Sequence, residues 1–272
     1  MWTYLWQNFL INMKIRDFIV WKAEDLYREL WAESLIEIWL WKWVMTKKLY
    51  KISEQFFIIE MDKSLAFMWE KKCEDWEKMW TVICWDVLDV DVEWIWKEKN
   101  LDIEKTVVVG NLPYYITSPI FRKFFEWLPR DTRYDGRFPW WIFMIQDEVA
   151  LKLKSDADKK SYLWRLINYG YEVTYLKWVP AKFFKPAPNV KSAVIKIKRK
   201  EKLPNIDFFD FKSFLELYAP YSRKTLWAIQ KIVNKHACKS QQIMIDEFVI
   251  SDGLLSKRLE ELCWNDIEKI FN

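Results

Sequence analysis

A chain of 272 residues with only 4 glycines has few places where its backbone can turn through positive φ without strain. At the usual share of about 7%, a chain of this length carries about 19. The same sequence carries 20 tryptophans, far above the norm for a soluble protein. Any fold it adopts must either avoid glycine turns or set tryptophan in them.

Segments with strand and helix periodicity alternate along most of the chain. Met13–Leu30 places Ile15, Phe18, Ile19, Ala23 and Leu26 on one helical face. Ser34–Ile38, Gln55–Ile59, Thr81–Cys84, Thr106–Gly110, Trp140–Ile145, Tyr171–Trp178 and Val190–Lys198 read as strands. Val44–Tyr50, Lys63–Cys73, Ser118–Trp127 and Ser161–Tyr169 read as helices between them. This βαβ order predicts an α/β fold, a mainly parallel Rossmann-like sheet with helices on both faces. Arg199–Ile206 is charged, contains Pro204 and reads as a linker. Beyond it Phe211–Ala219, Arg223–Val233 and Ser251–Leu262 read as helices. The expected division is an α/β domain over 1–200 and a small all-helical domain over 207–272.

The residues richest in chemistry are Asn111-Leu112-Pro113-Tyr114, directly after the apolar run Thr106–Gly110. Open α/β sheets bind ligands at the carboxyl ends of their strands. An enzyme that modifies an exocyclic base amine must unstack the base and align its nitrogen. The Asn111 side-chain oxygen can accept one N–H of that amine. The Leu112 carbonyl, held out by the rigid Pro113, can accept the other. Tyr114 offers a stacking face worth about 1–3 kcal/mol. A strand end followed by an ordinary Asn-x-Pro turn is the plainer alternative.

Composition narrows the class. The chain is 51% hydrophobic and 30% charged, as a packed soluble core requires. Its apolar runs are strand-sized, short of the roughly 20 residues that span a bilayer, and its first residues lack a signal-peptide pattern. Cys73, Cys84, Cys238 and Cys263 form no Cys-x-x-Cys pair, and His236 stands alone. No metal site is expected, and reduced thiols in the cytoplasm are. A net charge of +4 permits a nucleic-acid partner. The basic stretches Lys191–Lys202 and Arg223–Lys235 are candidates for phosphate contacts, with Lys191, Lys198, Arg223 and Lys224 foremost.

The ordered motifs resemble the KsgA-type small-subunit rRNA adenine dimethyltransferases, from about Trp6 to Leu262. Gln7-Asn8-Phe9-Leu10 resembles the family's N-terminal motif, whose Asn and Leu contact the cofactor; here they are Asn8 and Leu10. Ile59-Glu60-Met61-Asp62 resembles the acidic end of its second strand, and Glu60 suits two ribose hydroxyls. Asp86 matches the Asp near the cofactor's adenine. Asn111–Tyr114 matches the active-site motif, with Asn111 near both substrates, and Tyr115-Ile116-Thr117-Ser118-Pro119 continues it. Met144–Ala150 resembles a strand–helix junction, with Asp147 where Lys is usual. Phe184-Lys185-Pro186-Ala187-Pro188-Asn189-Val190-Lys191-Ser192 resembles a segment whose aromatic, here Phe184, covers the target base. Arg223-Lys224-Thr225-Leu226 resembles the basic start of a C-terminal helix.

The resemblance implies a class I methyltransferase fold, S-adenosylmethionine as cofactor and N6,N6-dimethylation of adenine in small-subunit rRNA during ribosome biogenesis. It further implies a pre-ribosomal particle as partner, no membrane, and a cytoplasmic monomer. A large-subunit rRNA adenine N6-methyltransferase is the nearest alternative. A non-catalytic nucleic-acid-binding relative is the other.

One departure runs through the pattern. The family's cofactor loop reads Glu-x-Gly-x-Gly-x-Gly, whereas this chain reads Glu37-Ile38-Trp39-Leu40-Trp41-Lys42-Trp43. Trp39 and Trp41 thus occupy cofactor-contact positions. Trp6, Trp85 and Trp164 also stand at family glycines. Tryptophan at positive φ costs roughly 1–2 kcal/mol, and its indole fills space that the methionine end of the cofactor needs. As written, the chain is expected to bind S-adenosylmethionine poorly or not at all. One codon read as glycine in some genetic codes and as tryptophan in others, such as UGA, predicts this pattern.

Overall fold

The computed structural model describes residues 8–39, 43–72, 79–90, 98, 101–126, 138–236, 245, 248 and 250–271. In chain order the elements are β1 (Phe9–Leu10), α1 (Met13–Glu29), β2 (Ser34–Ile38), α2 (Trp43–Ile52), β3 (Gln55–Ile59), α3 (Lys63–Lys72), β4 (Met79–Ile83), β5 (Thr106–Asn111), α4 (Thr117–Glu126), β6 (Trp140–Gln146) and α5 (Asp147–Leu153). They continue with α6 (Tyr162–Gly170), β7 (Tyr171–Val179), β8 (Phe184–Lys185), β9 (Ser192–Arg199), α7 (Phe208–Tyr218), α8 (Leu226–His236), α9 (Asp252–Leu255) and α10 (Trp264–Phe271). No helix among the described residues is long and apolar enough to cross a membrane.

The chain forms two compact units, one of 1–151 with 173–199 and one of 152–172 with 200–272. The segment around α6 therefore clusters with the C-terminal helices, although it precedes two strands of the sheet.

The first unit is built on a seven-stranded sheet in the order β4-β3-β2-β5-β6-β9-β7. β2 pairs in parallel with β3 and β5, β3 with β4, and β5 with β6. β9 pairs antiparallel with β6. The order turns outward in both directions from β2 and β5, the switch point where open α/β sheets carry their ligands. The central strands β2, β3, β5 and β6 are buried over nearly their whole length because both faces are covered, whereas β7 exposes Glu172, Lys177 and Trp178. Leu35, Phe56, Ile58, Val107, Val109, Ile142 and Val194 bury one face in a cluster with Ile15, Ile19 and Ala23 of α1 and Met45 and Leu49 of α2. On alternate residues, Trp141 of β6 meets Phe125 of α4 at a ring separation of 5.4 Å, and Phe143 meets Phe121 at 5.7 Å.

Most boundaries follow local chemistry. The Asn12 side chain caps α1 by accepting from the Ile15 N–H at 3.1 Å. Asp207 accepts from the N–H groups of Phe209 and Asp210, and so α7 starts at Phe208, three residues before the apolar pattern suggests. Ser251–Leu262 is not one helix. It forms the short α9, an extended Arg258 and a 3-10 turn at Leu259–Glu261. Arg258 bridges Thr225, and the Leu226 N–H donates to the Lys257 carbonyl at 2.8 Å, which holds this stretch alongside the start of α8. Helical α10 and the two-stranded pairing of β1 with β8 have no counterpart in the sequence reading.

The second unit packs aromatic residues from separate stretches: Tyr169 stacks on Phe211 at 5.3 Å, and Phe214 stacks on Tyr218 at 4.4 Å. Ser161 caps α6 through the Trp164 N–H. Arg165, fully buried on this helix, donates to the carbonyls of Leu259 and Leu262.

Candidate active site

Asn111 is the last residue of β5, and the tetrapeptide it opens stands at the carboxyl edge of the sheet beside the ends of β2 and β6. The approach of these strands is close. A Cβ on Gly110 would lie 3.0 Å from the Ile38 carbonyl oxygen and 3.0 Å from the Phe143 ring. Glycine at this one position lets β5 seat between its neighbours. Leu112 is buried, and its N–H donates to the Met144 carbonyl at 3.0 Å, which anchors the middle of the motif. The Pro113 carbonyl then accepts from the Ile116 N–H at 3.1 Å and the Thr117 hydroxyl at 3.0 Å, so the motif runs straight into α4. Asn111 is half-buried, and its amide has no hydrogen-bond partner among the described residues.

Tyr114 is fixed from a distant part of the chain. Its hydroxyl and that of Ser192, at the start of β9, share a hydrogen bond of 2.7 Å. Ser192 is fully buried. Burial pushes the Tyr114 phenol up, and the Ser192 hydrogen bond partly opposes this by favouring the phenolate. Tyr114 is therefore neutral at physiological pH and acts as an oriented ring. In the sequence Ser192 is only the last residue of the Phe184–Ser192 motif, and nothing there signals its bond to Tyr114. In a Ser192→Ala variant the Tyr114 titration moves to still higher pH, measured by ultraviolet absorbance of the phenolate. Loss of the hydrogen bond lowers stability by about 0.5–1.5 kcal/mol. A Tyr114 titration that stays in place or moves down would contradict the geometry.

The residues expected to meet the cofactor lie around the same sheet edge. Glu60, just past β3, is buried, and its carboxylate accepts from the Asp62 N–H at 2.9 Å. Asp86, past β4, accepts from the Leu88 N–H at 2.9 Å; burial pushes the phenol of Tyr115 up, and the Asp86 charge adds to this. The motif's continuation therefore lies within electrostatic reach of Asp86. Glu37 of β2 is buried and accepts from the Thr46 hydroxyl at 3.2 Å. Asn8 is half-buried, and Leu10 is buried directly opposite Phe184 in the β1–β8 pair. Phe184 is 4% exposed and belongs to the core cluster with Leu10, so its ring is a wall of that core in this state. Trp41 lies outside the described residues.

Trp39 is the misfit. It has φ of 67°, is 8% exposed, and its indole N–H finds no partner among the described residues. Its own N–H donates to the Ile59 carbonyl at 3.0 Å, which fixes the turn at the end of β2. The carboxylates of Glu60 and Asp86 suit a nucleoside, but an indole on this turn does not suit a bulky amino-acid substituent beside it.

The basic candidates differ in how far they are engaged. Lys198 pairs with Glu29 at 3.3 Å and lies over the Trp140 ring at 4.4 Å. Lys191 is exposed, with its ammonium 5.5 Å from the Trp178 ring centroid. Arg223 and Lys224 are exposed on the turn leading into α8 of the second unit.

Comparison with known proteins brings these parts under one heading. The family profile described as ribosomal RNA adenine dimethylase matches residues 3–272. The chain is 30% identical over 267 residues to "Ribosomal RNA small subunit methyltransferase A" of Hydrogenobaculum sp. (strain Y04AAS1), covering 98% of this chain and 90% of that protein. It is 31% identical over 206 residues to the protein of the same name from Staphylococcus aureus (strain JH9), covering 75% of this chain and 65% of that one. Among solved structures, a dimethyladenosine transferase from Plasmodium falciparum superposes with a TM-score of 0.72 at 21% identity, over 96% of this chain and 95% of the other. The 23S rRNA methyltransferase ErmE superposes with a TM-score of 0.66 at 20% identity, over 97% and 98%. These two likenesses concern the fold.

Proposed function

The chain belongs to the ribosomal RNA adenine dimethylase family, and we propose from this how its site works. It is a methyltransferase that produces N6,N6-dimethyladenosine in small-subunit rRNA, with S-adenosylmethionine as methyl donor. The observation that carries the reading is the Asn111–Tyr114 motif at the carboxyl end of β5, with Tyr114 braced by Ser192.

The adenine is drawn out of its stack and laid on the Tyr114 ring. The Asn111 side-chain oxygen and the Leu112 carbonyl each accept one N–H of its amino group. Two acceptors on the hydrogens direct the nitrogen lone pair away from the motif and offset the positive charge that grows on nitrogen as it is alkylated. Glu60 would hold the ribose hydroxyls of S-adenosylmethionine, Asp86 would meet its adenine, and Asn8 and Leu10 would contact it from the N-terminal side. Trp39 as it stands does not fit the donor's amino-acid end.

Small-subunit RNA in a pre-ribosomal particle is the proposed substrate, reached by a monomer in the cytoplasm. RNA recognition leans on shape, and the helical unit adds a surface for it. The large-subunit alternative has behind it only the likeness in fold between this chain and ErmE, whereas the relatives at 30–31% identity carry the small-subunit name. The deciding assay uses the chain with Trp39→Gly, Trp41→Gly and Trp43→Gly. It offers small-subunit particles and protein-free large-subunit RNA in parallel, with dimethyladenosine read by mass. Product on the first substrate alone is expected; product on the second alone would reverse the assignment.

The exposed basic turn supplies a second measurement. Replacing Arg223 and Lys224 by alanine removes two candidate phosphate contacts. Each contributes about 0.7–0.9 to the slope of log K against log salt. The slope of particle binding therefore falls by roughly 1.4–1.8. An unchanged slope would make this turn an ordinary solvated one.

A further inference from the structure

Two non-glycine residues among those described have positive φ, Trp31 at 52° and Trp39 at 67°, and no described glycine does. Tryptophan accounts for 20 of 272 residues, so both left-handed positions falling on it is not what random placement gives. We propose that positions 31 and 39 are glycine in the protein its source cell makes, through a codon that cell reads as glycine and another code reads as tryptophan.

Trp31 carries the argument without any reference to function. Leu30 caps α1, the Trp31 N–H donates to the Arg28 carbonyl at 3.2 Å, and the Ala32 N–H donates to the Tyr27 carbonyl at 2.9 Å. This pair of bonds is the Schellman arrangement, and Trp31 holds its left-handed position, which usually belongs to glycine. Its side chain is 86% exposed, so no burial offsets the strain or the exposed indole. Trp39 repeats the pattern from the opposite environment. It is buried, yet its indole N–H lacks a partner among the described residues, although a buried tryptophan normally finds one. An exposed indole and a buried one share only a backbone that suits glycine. The deficit of glycine across the whole chain is the third observation, and it is independent of both positions.

The test is direct. Trypsin cuts after Arg28 and Lys42, releasing a peptide that holds both positions. In protein isolated from the source cells, fragment masses are expected to place glycine at 31 and 39. Tryptophan at either position overturns the proposal. A second measurement uses the purified chain as written. Trp31→Gly is expected to raise the folding equilibrium constant about tenfold, whereas Trp31→Ala, which keeps a Cβ at positive φ, gains much less. Equal gains from both variants would mean that the backbone at 31 does not call for glycine, which would also overturn it. Neither readout depends on methyl transfer, so the proposal and the assigned reaction can fail separately.

Discussion

In the chain restored to glycine at 39, 41 and 43, Asn111→Ala lowers the single-turnover rate of adenine methylation by about 10²–10³-fold while binding of the RNA particle changes little. The figure is that of one oriented hydrogen-bond partner for charge that develops only in the transition state. Asn111 has the placement this requires. It ends a strand sealed by pairing with β2 on one side and β6 on the other, and its amide is uncommitted among the described residues. Asn111→Asp is the informative companion. A carboxylate still accepts from the amine and favours positive charge on nitrogen, so it is expected to keep more activity than alanine at pH values where it is ionised. Loss of particle binding in step with rate would move Asn111 from the reaction to RNA docking. An unchanged rate would remove it from the site.

The acceptor half of this site was legible because its chemistry is contiguous. Four residues after a β-branched strand carry it, and their position at the strand end follows from the period of the apolar residues alone. The donor half was legible only through its carboxylates. Glu60 and Asp86 stand after strands that periodicity locates, and both lie at the expected sheet edge. What could not be read were partners far apart in sequence. The Tyr114–Ser192 bond joins residues 78 apart, and Leu10 faces Phe184 through a pair of two-residue strands too short to show a period. Phe184 illustrates the limit differently. Its motif gave it the place of the aromatic that covers the target base, while its burial depends on what β1 brings against it, and that is set by tertiary pairing. The split of Ser251–Leu262 has the same origin, since its break comes from Thr225 and Leu226 and not from a helix-breaking residue of its own. The boundary of the second unit was illegible for a similar reason. No change in composition near residue 152 announces that α6 packs with the C-terminal helices, and the link is made by aromatic contacts such as Tyr169 on Phe211.

The largest expected effect on stability lies in that unit, at Arg165. Its guanidinium is fully buried, and burial holds it down at about 10, which leaves it charged at neutral pH. It donates to the Leu259 and Leu262 carbonyls, the two ends of the 3-10 turn where the helix predicted over 251–262 breaks off. Asp266, which accepts from Lys257 at 3.0 Å and from the Cys263 N–H at 3.1 Å, contributes the nearby negative charge. Arg165→Met keeps much of the apolar stem but leaves the Leu262 carbonyl without its donor and takes the charged donor from the Leu259 carbonyl, which keeps only the Leu262 N–H at 3.3 Å. An orphaned carbonyl costs about 1–3 kcal/mol and a lost hydrogen bond to a charged group about 1.5–3 kcal/mol, so about 3–5 kcal/mol in total is expected in chemical denaturation of the whole chain. Arg165→Lys keeps a single charged donor nitrogen, as Nη2 is for both carbonyls here, but on a shorter stem and with a more strongly hydrated head, and it is expected to recover about half of the loss. The loss should concentrate in the second unit. Proteolytic cutting near 256–262 is expected to rise in Arg165→Met, while the β-strands of the first unit keep their hydrogen-exchange protection. A loss under 1 kcal/mol would mean that the turn finds other donors, and the buried charge would then be a burden on the unit instead of its tie.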